Sequence, residues 1–490
     1  MSSNGFETLL ADLGRIPIMQ PVGRVIAVDA GLVRLAGLGH LARMGDFLKL
    51  ARADGTHLGG EVLCIETDAV LMLPDASPDG VSLGDRVTLV GDVRLAPDES
   101  WIGRIIDPYG QPMDGFALRH GPSACNLRAT PPPAAQRRGL GRRLETGMAV
   151  FNTMLPIVEG QRIGLFSGSG VGKSNLLAHF AKHLESDLTV VALIGERGRE
   201  LREFVENVLG PDGMARSIVI AATSDQSPLV RRRCAWAAMA VAEHFRDHGR
   251  NVLFLADSIT RFAEAHREVA VTAGELPALR GYPPSTAHMI MQLCERAGPG
   301  VKGAGAITAI LSVLVAGSDM EEPIADILRG VLDGHVVLDR KIAERGRFPA
   351  IDLLRSVSRS LPAAATEDEN TAISSARALL GAYAQSEMMI RAGLYTQGSD
   401  PQLDQAISVW PDLDAFIAEK DLDGCENSFN RLRLILRRAQ SAGHATRNRP
   451  LAQPPQANDR PGAGMPMNLP KGPWPQGHRK QLPQPINRLP

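Results

Sequence analysis

The stretch Ser167-Gly-Ser-Gly-Val-Gly-Lys-Ser174 decides the reading of this chain. It follows the apolar run Arg162 to Phe166 and leads at once into Asn175-Leu-Leu-Ala-His-Phe180, so a strand, a glycine-rich loop and a helix opening on Lys-Ser stand in order. Such a loop cradles phosphate. Gly168, Gly170 and Gly172, with Ser169 and Val171 between them, let backbone N–H groups turn toward the phosphates beside a positive helix end. Lys173 reaches the β/γ oxygens, and the Ser174 hydroxyl can ligate Mg²⁺. Ser167 stands where the strict GxxxxGK[ST] pattern asks for glycine, a departure that the surrounding context outweighs.

Working outward, Asn251-Val-Leu-Phe-Leu-Ala-Asp257 is an apolar run ending in an acid, the form of a carboxylate that holds Mg²⁺ through water at a strand's carboxyl end. An Asp after a strand also caps helices, so Asp257-Ser-Ile-Thr has a second reading. The run Thr189 to Ile194 delivers Gly195-Glu-Arg-Gly-Arg-Glu200. There Glu196 is placed to polarise an attacking water, with Arg197 beside it as the cation that keeps it ionised. A surface Glu/Arg pair at a helix start is the alternative. With Ser217 to Ala222 and Ile307 to Val315, these continuous apolar runs predict an α/β domain with a mostly parallel sheet between about 150 and 360.

The rest of the chain divides by texture. Its 490 residues predict roughly three domains at about 150 residues each. Residues 23 to 90 alternate short apolar stretches (Arg24 to Val28, Glu61 to Ile65, Ala69 to Leu73, Arg86 to Val90) with Gly/Asp turns, which predicts a small β-barrel or sandwich. Residues 370 to 440 read as mainly helical. Phe6, Leu9, Leu10 and Leu13 fall on one face of a short amphipathic helix, set either to pack on its own domain or to dock on a partner helix or a membrane surface. Formal charge is −1 overall, but residues 441 to 490 carry seven Lys or Arg against one Asp and eleven prolines, and are expected to form a disordered basic tail. Five scattered cysteines without CxxC spacing argue against a disulfide framework and against zinc, and no apolar run is long enough for a membrane span. With no secretory pattern at Met1, the expected location is cytoplasmic.

Beyond the site motifs, Asp257-Ser-Ile-Thr-Arg-Phe262, Arg280-Gly-Tyr-Pro-Pro-Ser285, Glu295-Arg-Ala-Gly298 and Leu332-Asp-Gly-His335 resemble the rotary ATPase superfamily. Gly393-Leu-Tyr-Thr-Gln-Gly-Ser-Asp-Pro-Gln-Leu-Asp-Gln-Ala-Ile407 resembles its flagellum-specific and type III secretion export branch. Ala343-Glu-Arg-Gly-Arg-Phe-Pro-Ala-Ile-Asp352 looks more like the flagellar form than the virulence form. The resemblance implies an α/β fold: a RecA-like P-loop NTPase core with an N-terminal β-barrel and a C-terminal helical domain. Divided accordingly, 1–16 is the amphipathic helix, 17–95 the barrel, 96–365 the ATPase core, 366–440 the helical domain and 441–490 the tail.

The same resemblance implies ATP and Mg²⁺ as cofactors, Asp257 as the Walker B acid, and Arg359, in Ser356-Val-Ser-Arg359, as a finger that completes a neighbour's site. It places Phe348 near the adenine, where stacking survives the loss of the family's usual tyrosine hydroxyl; core packing is the other role open to that ring. One chain carrying P-loop, Glu and finger implies a homohexamer. Implied partners are a stator or regulatory protein, export substrates with their chaperones, and a membrane export gate approached peripherally at the cytoplasmic face. A Rho-like nucleic-acid motor is the alternative from another class. Against it, residues 17 to 95 hold one aromatic, Phe47, and few basic residues, so no nucleic-acid partner is expected.

Overall fold

The computed structural model describes residues 19–447 apart from 30 and 316–319; the expected helix over 1–16 and residues 448–490 of the expected tail lie outside the described residues. Six antiparallel strands open the chain: β1 (Val22–Asp29), β2 (Leu32–Ala36), β3 (Phe47–Ala51), β4 (His57–Ile65), β5 (Val70–Pro74) and β6 (Arg86–Gly91). They close into a barrel in the order β1-β2-β5-β4-β3-β6. Alternation drives the closure. Val25, Val33, Leu35, Leu48, Leu50, Val62, Met72 and Val87 fill the inside, while Arg24, Arg34 and Lys49 stay on the outside. The barrel is tied to the core by Glu61 on β4, whose buried carboxylate lies 3.4 Å from both Arg232 and Arg233 and 3.3 Å from Arg128.

The core is one sheet, made of β7 (Ile105–Ile106), β8 (Arg162–Ser167), β9 (Leu188–Glu196), β10 (Ser217–Thr223), β11 (Val252–Asp257), β12 (Gly298–Pro299), β13 (Ala306–Leu314), β14 (Gly334–Leu338) and β15 (Ile351–Ser358). Its order is β15-β14-β8-β13-β11-β9-β10-β7, with β12 paired to β13. The run from β14 to β7 is parallel, and β15 is an antiparallel edge. The expected parallel sheet is there, extended by β14 and β15, which the apolar-run reading passed over because β15 alternates buried and exposed positions. Helix α1 (Lys173–His183) follows β8; α2 (Pro228–Asp247) and α3 (Ile259–Thr272) follow β10 and β11.

Three helices complete the described chain, α4 (Glu367–Arg391), α5 (Pro401–Ala418) and α6 (Cys425–Arg447). A capping box between Thr366 and Glu369 starts α4. Leu379, Leu403, Phe416 and Phe429 from these helices join Phe180 of α1 and Leu165 of β8 in one apolar cluster, and Tyr383 stacks on Trp410 at 4.5 Å. Helix α6 runs to Arg447, seven residues into the stretch expected to belong to the tail. The string Gly393 to Ile407 forms the α4–α5 connection and the start of α5. It is closed by Asp404, which is buried and accepts from the Tyr395 hydroxyl at 2.8 Å and from Gly398 N–H at 2.9 Å.

Candidate active site

Parallel strands put their carboxyl ends on one edge, and the order β8-β13-β11-β9 brings three expected site residues to that edge within four strands. The loop leaving β8 takes the shape its glycines permit. Gly170 (φ 75°) and Gly172 (φ 84°) occupy the left-handed region, where a side chain would be strained. A Cβ on Gly172 would also stand 3.1 Å from Phe348 Cδ1, so this glycine admits that ring beside the loop. Ser167 faces no such demand: it is the last residue of β8, without positive φ, and its carbonyl accepts from Val315 N–H at 3.0 Å. That is why serine is tolerated in the first glycine position. Among the described residues its buried hydroxyl has no hydrogen-bond partner, and it lies on the wall of a cavity of about 430 Å³ that Gly168, Ser169, Arg280 and Tyr282 also line.

Lys173, in the first turn of α1, forms an ion pair with Asp257 at the end of β11. Ser312 on β13 donates to the same carboxylate oxygen at 2.8 Å. Both partners are largely buried, so the charges are held by each other rather than by water. Among the described residues no set of three or more His, Cys, Asp or Glu converges on a metal position. Mg²⁺ needs none: it takes oxygen ligands and keeps several waters, and the Asp257 carboxylate, the exposed Ser174 hydroxyl and phosphate oxygens are a donor set of that kind.

Glu196 ends β9 with its carboxylate largely buried. Burial, then the nearby Asp257 charge, then a hydrogen bond with Glu200 push its carboxyl up to about 7, against the pull of Arg261 and Lys173. Glu200 is held below the usual carboxylate range, chiefly by that same bond. The expectation that Arg197 keeps Glu196 ionised therefore needs correcting on two counts. Arg197 is exposed and pairs with Glu200 at 3.6 Å, while the cation on Glu196 is Arg261, from α3, at 3.4 Å. The chain leaves β9 at Glu196 and enters a helix at Gly198, so adjacent side chains diverge. Arg261 lies in the first turn of α3, where no sequence spacing ties it to Glu196; Ser312 and Glu200 were also missed.

Arg359 stands elsewhere. Leu338 of β14 pairs with Ser167, whereas Gly334 at its other end pairs with Ser358 of β15. Arg359 thus lies past the amino end of β8, on the order of 20 Å from the phosphate loop at about 3.3 Å per residue. It is exposed, and its guanidinium donates to Arg329 C=O at 3.0 Å. Phe348 is 52% exposed beside Gly172.

Comparison with known proteins places the segment that carries this site in a nucleotide-binding family. Residues 147–358 match the ATP synthase alpha/beta family, nucleotide-binding domain, and residues 365–432 match the T3SS EscN ATPase C-terminal domain. Over 440 residues the chain is 42% identical to the flagellum-specific ATP synthase of Caulobacter vibrioides, covering 88% of this chain and 99% of that one. It is 38% identical to the type 3 secretion system ATPase of Xanthomonas euvesicatoria, covering 87% and 96%. Among solved structures, the assembled ATPase EscN from the enteropathogenic E. coli type III secretion system superposes with a TM-score of 0.78 at 35% identity, covering 84% of this chain and 100% of that one. EscN in complex with its central stalk EscO gives a TM-score of 0.77 at 36% identity, with the same coverage.

Proposed function

Because the chain belongs to the family of flagellum-specific and type III secretion ATPases, it is an ATP-hydrolysing enzyme of protein export, and we propose how its residues divide that work. The observation that carries the proposal is the convergence of Lys173, Asp257 and Glu196 on one sheet edge beside the loop 167–174. Backbone N–H groups of Gly168 to Gly172 and the Lys173 ammonium hold the phosphates, and Phe348 stacks on the base. Mg²⁺, when bound, offsets phosphate charge; Ser174 and Asp257 would hold it. Glu196, once ionised, takes the proton of a water whose oxygen bonds to the γ-phosphorus as the bridge to ADP breaks. The donor that steadies the outgoing charge is Arg359 of a neighbouring copy.

Flagellar rather than virulence export is the reading we favour. Relatives named flagellum-specific are 40–44% identical, and those named type 3 secretion 38–39%. EscN assembles and binds a stalk, which supports a homohexamer with a stalk or stator partner here. The same reading gives the enzyme export substrates, chaperones and a membrane gate as partners at the cytoplasmic face. No described helix is long and apolar enough to cross a membrane. By segment, 17–95 is the barrel module, 96–365 the ATPase and the helical module begins at 366, its last helix running past the expected end at 440 to Arg447. The reading includes no nucleic-acid partner, which is supported by Phe47, the barrel's one aromatic, packing against Tyr109 at 5.2 Å.

Glu196→Gln tests the assignment. Nucleotide binding should persist while turnover falls by about 10²- to 10⁴-fold; near-normal phosphate release would sink the role given to Glu196.

A further inference from the structure

Helix α1 turns one face toward a cavity of about 520 Å³. Gly172, Asn175, His179 and His183 recur along that face at helical spacing, Phe348 borders the cavity, and Asn207 lines it from a π-helical turn, Phe204–Leu209. Turns of this type recur at functional sites. His179 is buried, and its Nε2–H donates to the Thr146 carbonyl at 2.9 Å. A carbonyl can only accept, so this bond fixes the tautomer and leaves Nδ1 as a lone-pair acceptor. Among the described residues Nδ1 has no hydrogen-bond partner. Burial holds the ring neutral with a pKa lowered to about 4; the Thr146 bond opposes this, and His183, Lys420 and Lys182 reinforce it. The acceptor therefore persists across the whole working pH range.

We propose that His179 reads the base, its Nδ1 accepting a hydrogen bond from the exocyclic amine of adenine laid against Phe348, and so sets a preference for ATP over GTP. This rests on the placement of the base against Phe348 given above. His179 lies seven residues beyond Gly172, about 10 Å along the helix axis at 1.5 Å per residue. That is the reach of a nucleoside whose phosphates sit on the loop and whose base extends along α1. Guanine carries an acceptor oxygen where adenine carries its amine. Against Nδ1 two lone pairs would then meet, and rejection comes from that repulsion as much as from the lost bond.

The test is kcat/KM for ATP and for GTP in the full chain and three variants. The unaltered protein should favour ATP by about tenfold or more. His179→Leu should bring the two substrates close together by losing efficiency on ATP. His179→Gln, whose amide can donate to guanine as well as accept from adenine, should gain on GTP, which a merely structural loss cannot produce. Phe348→Ala should weaken both substrates alike. If Phe348→Ala changes neither, the base does not lie there and the underlying placement fails with the proposal. If Phe348→Ala weakens both while His179→Leu and His179→Gln keep the ATP/GTP ratio, the base lies on the other face of Phe348, toward Arg347 and Phe416, and only the role of His179 is overturned.

Discussion

At the carboxyl edge of the core sheet, Lys173, Asp257, Ser312, Glu196 and Arg261 hold one another through ion pairs and hydrogen bonds, most of them away from water. At the other end of β8, Arg359 stands exposed, anchored to one backbone carbonyl, with no phosphate loop of its own chain in reach. The first region is organised by strand register within the chain and is built as far as one chain can build it. The second, on the reading proposed above, is a donor whose acceptor comes from a neighbouring copy. A head-to-tail arrangement that closes into a ring gives every donor an acceptor, which an open pair of copies does not.

The comparison breaks most visibly if Arg359 works within its own chain. Arg359→Ala should cut turnover per chain by about 10³-fold or more while nucleotide binding holds. Mixing it with Glu196→Gln should restore phosphate release, because roughly a quarter of the sites in a random ring then pair an intact Glu196 with an intact Arg359. A mixture as inactive as its components would place both groups in one chain's site. The next effect sharpens the first region alone. Glu196 acts ionised, and burial raises its carboxyl to about 7, so kcat/KM should fall about tenfold per unit below neutrality. Arg261→Met, by removing a cation that favours the carboxylate, should move that limb to higher pH; a flat profile from pH 5 to 8 would remove Glu196 as the base. The smallest effect lies away from both regions. Tyr395→Phe removes the hydroxyl bonds to Asp404 and to Asp400 C=O, and should lower stability by about 1 kcal/mol in denaturant unfolding with hydrolysis unchanged.

Legibility in the sequence followed burial. β8, β9 and β11 could be read almost to the residue because both faces are covered and their runs are unbroken. β14 and β15 could not: one is five residues long, and the other carries Asp352 and Arg355 on an exposed edge. β2 and β3 are equally short and carry Arg34 and Lys49 on the outside. At the site, Lys173 was legible because it closes a glycine-rich loop at a helix start, and Asp257 because it ends an apolar run at a strand end; their direct ion pair was not read. The cation on Glu196 was not, because a sequence neighbour, Arg197, was the visible candidate, and only the approach of α3 to β9 brings Arg261 there. The distance of Arg359 from the loop needed the register of β14, which no periodicity reports.

The closed barrel at the front of the described chain carries one more consequence, for the fate of copies that have not assembled. Six strands paired all the way round leave no row of unsatisfied N–H and C=O groups to recruit another strand. Among the described residues, the barrel of a lone copy therefore offers no strand edge to seed a growing fibre. A chance encounter between two such barrels cannot continue as strand addition.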